Sequence, residues 1–274
     1  MKKKIKNEDR PIGIFDSGIG GLTVADAIHR LLPSETLIYF GDTAHLPYGD
    51  KAPESIRGYS EKIADFLLAN GCKMIVIACN TASSIAFETV KTHVGDRALV
   101  VDVINPVVAE VSAMKKVKRV GVIGTRATIK SNAYAHRITN KNPAMEVVSL
   151  ATPLLAPMIE EGFFNNKISR TIINSYLSRP KIKKIDALIL ACTHYPLIKK
   201  EITEYYKGDI NIVDSADIVA RFVRNALGKK KLLHSGKAGR HRFYISDYTK
   251  SFEQSTRIFF RDQIKLEHKN LWNP

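Results

Sequence analysis

Two strand-and-loop segments in the first half of the chain return, in the same order, in the second half. The segment IGIFDSG at 12–18 aligns with VGVIGTR at 120–126, and MIVIACNTAS at 74–83 aligns with ALILACTHYP at 187–196. The offsets between the copies are 108 and 113 residues. An internal repeat of this kind indicates two related structural units, here of roughly 105 residues each. The sequence therefore predicts two similar domains.

Short β-branched runs alternate with helical patterns along the chain, which is typical of βα units and parallel sheets. In the first helical pattern, Leu22, Ala25, Ile28 and Leu32 recur at three- and four-residue spacing. Parallel sheets carry helices on both faces. The predicted fold class is α/β: two pseudo-symmetric domains with mainly parallel sheets in flavodoxin-like layers, and an active site in the interdomain cleft. The predicted strands are 12–15, 36–40, 74–78, 98–103, 119–123, 146–150, 187–191 and 210–213.

The repeat and the chain length together suggest the domain bounds. With 274 residues, 45% of them hydrophobic, the chain is long enough for about two domains. The second copy of the repeat assigns 105–213 to the second domain. Residues 214–274 are too few for a third domain, so they are predicted to add a helix, a strand and a final helix to the first domain, 11–104. Residues 1–10 are predicted to be a short basic N-terminal extension.

The formal net charge of the chain is +15. Lys and Arg attract phosphate with little geometric demand, so this charge raises nucleic acid or an anionic surface as a partner. The distribution of the charge argues against nucleic acid, because the basic residues are not interleaved with aromatic residues in one tract. They lie in short scattered runs at 2–4, 115–119, 181–184 and 229–231. This pattern favours a solvated, lysine-rich surface that helps to collect anionic metabolites.

Neither a membrane span nor a signal peptide is evident in the sequence. No window contains the roughly 18 uncharged apolar residues that a spanning helix needs, and no apolar segment follows the basic N-terminus. We therefore expect a cytoplasmic protein without a membrane partner. The three cysteines are expected to be free thiols in a reducing compartment. The sequence leaves the oligomeric state open, a homodimer included.

Two of the cysteines occupy positions suited to chemistry, because ligands of open parallel sheets bind beyond the carboxyl ends of the strands. Cys79 and Cys192 each end a predicted strand and precede a predicted helix, from Ala82 and from Pro196 respectively. The positive end of a helix dipole lowers the pKa of a cysteine and makes it a usable base or nucleophile. The repeat would bring both thiols into one cleft. Cys72, which no polar cluster follows, is interpreted as structural.

Other motifs carry less information. The turn at 18–21 resembles a dinucleotide fingerprint, but Thr23 stands where the third glycine is required. No metal-ligand spacing or phosphate-binding loop occurs, so we expect neither a metal nor a cofactor. His194 is either a core histidine or a group that tunes the nearby thiol of Cys192, and the proximity favours tuning. Asp16 either caps a helix or belongs to the site.

A set of motifs resembles those of glutamate racemase. The resemblance runs from about residue 12 to about residue 260, with the motifs in the same order along the chain. The motifs are GIFDSGIGGLTV (13–24), YFGDTAHLPYGDK (39–51), IACNTASS (77–84), GVIGT (121–125), TPLLAPMIEEG (152–162) and ACTHYPLI (191–198). The resemblance implies a cofactor-independent enzyme that interconverts L- and D-glutamate and supplies D-glutamate for bacterial peptidoglycan.

The same resemblance implies roles for individual residues. Cys79 and Cys192 would be the two acid/base thiols, acting on D-glutamate and L-glutamate respectively. Asp16 and His194 would assist them on opposite sides of the substrate. The residues implied to hold the substrate are Asp16, Ser17, Tyr48, Gly49, Asn80, Thr81, Thr125, Thr193 and His194.

Two residues depart from the pattern of the family. Asp102 stands where glycine is expected, and Asn105 stands where the family often has an acidic residue. Neither residue lies in a motif that touches substrate, so we expect the departures to affect local packing only.

Two alternatives stay open at the level of sequence. A racemase for another acidic amino acid, aspartate above all, would use the same two thiols, and one methylene is worth only about 1 to 3 kcal/mol in a pocket. A two-lobed amino-acid-binding protein would also show a repeat and a cleft. Such a protein is normally exported and has no need for paired thiols, so the sequence favours the racemase.

Overall fold

The computed structural model describes residues 6–272, and for residues 250, 251, 254 and 255 it describes the backbone only. Within this range the chain forms ten strands and eleven α-helices. The strands are β1 (Ile12–Asp16), β2 (Leu37–Gly41), β3 (Met74–Ile77), β4 (Leu99–Asp102), β5 (Arg119–Gly124), β6 (Glu146–Ala151), β7 (Ala187–Ala191), β8 (Asn211–Val213), β9 (Arg242–Ile245) and β10 (Leu266–His268). The helices are α1 (Leu22–Leu31), α2 (Pro53–Ala69), α3 (Asn80–Val94), α4 (Ile104–Ser112), α5 (Arg126–Lys130), α6 (Ala133–Lys141), α7 (Leu155–Glu160), α8 (Lys167–Leu177), α9 (Lys199–Tyr205), α10 (Ala216–Lys229) and α11 (Lys250–Phe259).

The described strands form two sheets, and every strand pair in both is parallel. The first sheet has the order β10-β9-β2-β1-β3-β4, and the second has the order β6-β5-β7-β8. The four strands that open each half of the chain are thus arranged in the same sequence of neighbours, as the internal repeat predicts. The α/β fold class and all eight predicted strands are confirmed.

The C-terminal segment adds two strands to the first sheet. After α10, β9 pairs with β2, and β10 pairs with β9 at the edge of the sheet. The predicted helix, strand and helix correspond to α10, β9 and α11, but the sequence missed β10. Helix α10 packs against α1, in the predicted first domain, and against α4, nearly all of which lies in the predicted second domain. The exact domain bounds stay a prediction.

The buried side chains form a core that passes from one sheet to the other. One apolar cluster contains Ile14 and Val76 of the first sheet, Val107 of α4, and Val122 and Ile189 of the second sheet. All five residues of β1 and all five of β7 are buried, as expected for parallel strands covered on both faces. The shared core therefore fixes how the two sheets face each other.

A buried ion pair ties the amino ends of the first-sheet strands to the N-terminal segment and to the segment that follows α10. Lys73 Nζ lies 2.6 Å from Glu35 Oε2, and both side chains are buried. The same ammonium donates hydrogen bonds to the carbonyls of Glu8 and Leu232, while Glu35 Oε1 accepts one from the amide of His234. Of the predicted N-terminal extension at 1–10, residues 1–5, with the lysines at 2–4, lie outside the described residues.

None of the helices between residues 6 and 272 combines the length and the hydropathy that a membrane crossing requires.

We expect the replacement Lys73→Met to lower the free energy of unfolding by about 3 to 5 kcal/mol, because it leaves the carboxylate of Glu35 buried without a counter-charge. The urea concentration at the unfolding midpoint measures the effect. The matched control is Arg57→Met, since Arg57 pairs with Glu54 at the surface, and its loss should cost less than about 1 kcal/mol. Equal losses in the two variants would contradict the structural role of Lys73.

Candidate active site

A small cavity lies where the carboxyl ends of the two sheets meet, and it contains ten of the eleven predicted site residues. Its volume is about 50 Å³. The lining residues are Ser17, Gly18, Leu46, Pro47, Tyr48, Gly49, Cys79, Asn80, Thr81, Thr125, Ala156, Glu160, Ala191, Cys192, Thr193 and His194. Both predicted functional thiols are present, one from each half of the chain, whereas Cys72 is buried elsewhere, before β3. The repeat thus brings the two strand ends together as predicted.

Cys79 follows β3 and is the N-cap residue of α3. Its Sγ accepts a hydrogen bond from the amide of Ala82 at 3.5 Å, and its S–H donates to Ser17 Oγ at 3.6 Å. Burial, and then the nearby carboxylate of Asp16, raise the pKa of Cys79 to about 12, although the helix amide and Ser17 oppose the rise. The predicted lowering of this pKa is wrong, because the thiol is only 5% exposed and desolvation outweighs the helix dipole. Cys79 therefore favours the protonated form.

Cys192 follows β7 in a different local structure. The chain forms a 3-10 turn at Tyr195–Ile198, and α9 begins only at Lys199, so the predicted helix from Pro196 is wrong at its start. The turn is held by Tyr195, whose hydroxyl lies 2.8 Å from Thr152 Oγ1. Cys192 Sγ instead lies 3.6 Å from His194 Nδ1. The charge partner of this thiol is therefore a side chain and not an α-helix N-terminus.

His194 is buried between a thiol and a carboxylate. Its Nε2 lies 2.9 Å from Glu160 Oε1. The angle at Nε2 does not suit a hydrogen bond, since this nitrogen has no hydrogen-bond partner. The contact is therefore an ion pair. Burial lowers the pKa of His194, but the contacts with Cys192 and Glu160 raise it by more, so that its pKa lies well above the ordinary value. The imidazolium form is thus favoured beside Cys192.

Glu160 is a site residue that the sequence reasoning missed. It ends α7 and lines the cavity. The signal available in the sequence was its place in the segment TPLLAPMIEEG at 152–162, but nothing local distinguishes it from its neighbour Glu161. Only the packing of α7 beside the 3-10 turn at Tyr195–Ile198 brings Glu160 to His194.

Asp16 lies behind the cavity and does not line it. The carboxylate is fully buried, and Oδ2 accepts hydrogen bonds from the amides of Gly18 and Gly21 at 3.3 and 2.9 Å. Gly21 precedes α1, and this helix has no side-chain cap, so the carboxylate fixes the turn before α1 and does not cap the helix. Oδ1 has no partner. Burial raises the pKa of Asp16, and the charge of His194 opposes the rise.

Loops from the two halves touch around the cavity. Thr81 Oγ1 lies 2.9 Å from Thr125 Oγ1, which joins the start of α3 to the start of α5. Thr23 donates a hydrogen bond to the carbonyl of Thr193 at 3.1 Å. Beside it, Gly20 has no room for a side chain, since a Cβ atom there would lie 2.4 Å from Cε1 of His194. The backbone of one half thus lies directly against the imidazole of the other.

Tyr48 is fixed in the cavity wall by a buried carboxylate that the sequence analysis did not single out. Its hydroxyl donates a hydrogen bond to Asp42 Oδ2 at 2.7 Å. Asp42 Oδ1 accepts from Ser246 at 2.7 Å and from Trp272 Nε1 at 3.0 Å. The C-terminal segment therefore supports the cavity from outside. Tyr48 thus lines the cavity while its hydroxyl is bound to Asp42.

The chain is similar to proteins of one family over most of its length. The family model described as Asp/Glu/Hydantoin racemase matches residues 12–223. The glutamate racemase of Geobacter metallireducens is 44% identical over 244 residues, which are 89% of this chain and 90% of that protein. The crystal structure of glutamate racemase from Francisella tularensis in complex with D-glutamate has a TM-score of 0.90 at 40% identity, covering 97% of this chain and 100% of that one. An aspartate racemase of Picrophilus torridus, 18% identical with a TM-score of 0.58, shares the fold.

We expect Cys79 to react with iodoacetamide at pH 8 at least about tenfold more slowly than free cysteine, because the thiolate is the nucleophile and a pKa of about 12 leaves little of it. The rate should rise with pH towards that value. Asp16→Asn removes a negative charge that raises this pKa, so the variant should be alkylated faster. Peptide mass spectrometry after timed labelling measures both rates.

The matched control is Asp186→Asn, because Asp186 accepts hydrogen bonds from two backbone amides at the surface of the second sheet. This variant should leave the labelling of Cys79 unchanged. Slower labelling of Asp16→Asn than of the wild type would show that Asp16 does not disfavour the thiolate.

Proposed function

The chain belongs to the Asp/Glu/hydantoin racemase family, and from this premise we propose that it interconverts L-glutamate and D-glutamate with Cys79 and Cys192 as its two acid/base groups. The observation that carries the proposal is the single cavity that both thiols line. Racemisation needs a proton to leave one face of the α-carbon and another to arrive on the opposite face, which two groups on opposite sides achieve. The substrate assignment is supported by relatives named glutamate racemase.

The reaction from L-glutamate begins with a thiolate at Cys192 and a thiol at Cys79. Cys192 takes the α-proton, the electron pair of the C–H bond remains on the substrate, and Cys79 gives its proton to the opposite face. The product is D-glutamate, with a thiol at Cys192 and a thiolate at Cys79. The reverse reaction exchanges the roles, so no net proton is consumed.

His194 is the charge-bearing side chain beside Cys192. Its Nδ1 lies 3.6 Å from the sulfur of Cys192. Glu160 in turn stabilises the imidazolium. We therefore assign His194 as the charge partner of Cys192 in this step.

At Cys79 we assign the balancing positive charge to the α-ammonium group of the substrate. Burial, and then the carboxylate of Asp16, raise the pKa of this thiol, and Oδ1 of Asp16 is buried without a partner. An α-ammonium group bound near Ser17 would neutralise the effect of Asp16 and lower the pKa of Cys79. Substrate binding thus makes Cys79 competent as the base for D-glutamate.

The α-proton of an amino acid is a very weak acid, so the developing carbanion needs hydrogen-bond donors held in a closed site. Asn80, Thr81 and Thr193 line the cavity and are the donors we assign to the substrate carboxylates. Thr125 contacts Thr81 and completes this side of the cavity. The backbone amides at the start of α3 add a favourable dipole for an anion.

Aspartate is the second candidate substrate, and it has less support. The aspartate racemase similar to this chain is 18% identical and shares only the fold. The glutamate racemase of Geobacter metallireducens is 44% identical. A two-lobed amino-acid-binding protein does not need a thiol on each side of its cleft. The wider role that we propose is the supply of D-glutamate for peptidoglycan in the bacterial cytoplasm.

We expect Cys79→Ser and Cys192→Ser each to reduce racemisation in both directions by several orders of magnitude, because a hydroxyl is a far weaker acid than a thiol and the two groups act as a unit. The loss of optical rotation of L-glutamate measures the rate. Wild-type enzyme in deuterated water should give D-glutamate with deuterium at the α-carbon from the first turnovers. Cys72→Ser is the control and should keep nearly the wild-type rate.

Two outcomes would contradict this assignment. Wild-type protein that leaves L-glutamate unchanged would remove the proposed activity itself. If both Cys79→Ser and Cys192→Ser kept most of the rate, or if Cys72→Ser were the inactive variant, the activity would remain but the two-thiol mechanism would be wrong.

We further expect activity without a cofactor, since the mechanism needs no electron sink beyond the hydrogen-bond donors of the cavity. The racemisation rate should survive exhaustive dialysis against EDTA, and the pure protein should show no absorbance from pyridoxal phosphate. Recovery of an inactive preparation on addition of pyridoxal phosphate would overturn this expectation.

A further inference from the structure

Helix α6 places a tyrosine against a cavity residue of the other half of the chain. Tyr134, in the first turn of α6, is 2% exposed. Its hydroxyl donates a hydrogen bond to Oδ1 of Asn80 at 2.7 Å. Asn80 is the first residue of α3 and directly follows Cys79. This hydrogen bond therefore connects α6, in the second half of the chain, to the residue that follows Cys79 in the first half.

The second polar atom of the Asn80 carboxamide has no partner in the protein. Asn80 is 2% exposed, it lines the cavity, and its Nδ2 is buried without a hydrogen bond. A buried amide group left unsatisfied is costly, so such a group in a native protein requires an explanation, and a group in the wall of a cavity can be satisfied by a ligand. The Nδ2 group can donate to a carboxylate in the cavity.

The tyrosine hydroxyl is neutral in this contact. Burial, and then the charge of Asp102, raise the pKa of Tyr134, while Arg137 opposes the rise. The phenol donates to Oδ1, which leaves Nδ2 as the amide atom without a protein partner. The contact thus holds the Asn80 amide in the orientation in which Nδ2 is free to donate to a ligand.

Helix α6 is itself anchored one turn beyond Tyr134. Arg137 Nη1 lies 2.6 Å from the buried Asp102 Oδ2 and 3.0 Å from Asn105 Oδ1. Asp102 and Asn105 are the two positions at which the sequence departs from the family pattern. Their effect is more specific than the expected change in local packing, because together they bind the arginine that holds α6 at the end of β4.

We propose that Tyr134 is a positioning residue, which orients the carboxamide of Asn80 so that Nδ2 donates to a carboxylate of the amino-acid substrate. This inference rests on the proposed function. Without the hydroxyl, the amide is free to turn, and its oxygen then faces the substrate carboxylate. The energy at stake is that of one hydrogen bond to a charged group, which corresponds to about tenfold or somewhat more in affinity.

The test is a set of four proteins: wild type, Tyr134→Phe, Asn80→Ala and the double variant. Tyr134→Phe should raise KM for either enantiomer about tenfold and change kcat by less than about threefold. In the Asn80→Ala background the same replacement should change KM by less than about twofold, because the group that it orients is gone. Tyr206→Phe is the control, since its hydroxyl donates to the carbonyl of Ile182, and it should match the wild type.

The rise in melting temperature with racemic glutamate reports binding where a variant is too slow for kinetics. An unchanged KM for Tyr134→Phe, or an equal effect in both backgrounds, would overturn the inference and leave Tyr134 a structural residue. Those results differ from failure of the proposed function, in which the wild-type protein itself would show neither racemisation nor binding of glutamate.

Discussion

The parallel direction of the strands is the constraint on which the site depends. Parallel pairing brings the carboxyl ends of neighbouring strands to one edge of a sheet, and here that edge of each sheet faces the other. Cys79 follows β3, Thr125 follows β5 and Cys192 follows β7. Two sheets with the same strand order therefore present equivalent positions across one cavity.

Within this symmetric frame, the two thiols have different surroundings. Cys79 caps a helix and lies near a carboxylate, whereas Cys192 precedes a 3-10 turn and lies beside an imidazolium. The repeat thus supplies the positions of the two groups, and the residues that differ between the copies supply their electrostatics.

Local sequence patterns predicted the features that depend on local structure. Short β-branched runs between helical patterns located eight strands, and the repeat predicted that both thiols lie at one cavity. The missed features arise from tertiary packing. Strand β10 has three residues and exists through its pairing with β9. Glu160 becomes a site residue only where α7 meets the turn after Cys192. The pKa of Cys79 follows from its burial, which a helix N-terminus read from sequence does not reveal.

The contact at Gly20 limits how far the two halves of the site can be separated before its geometry changes. The backbone there rests against the ring of His194, and a Cβ atom would overlap it at 2.4 Å. A single methyl group at this position would force either the imidazole or one of the two sheets to shift by about an ångström. Misplacement of catalytic groups on that scale can lower the reaction rate about a hundredfold. The distance between the two halves at this point is therefore one that only glycine allows, because any Cβ atom would hold the backbone and the imidazole further apart.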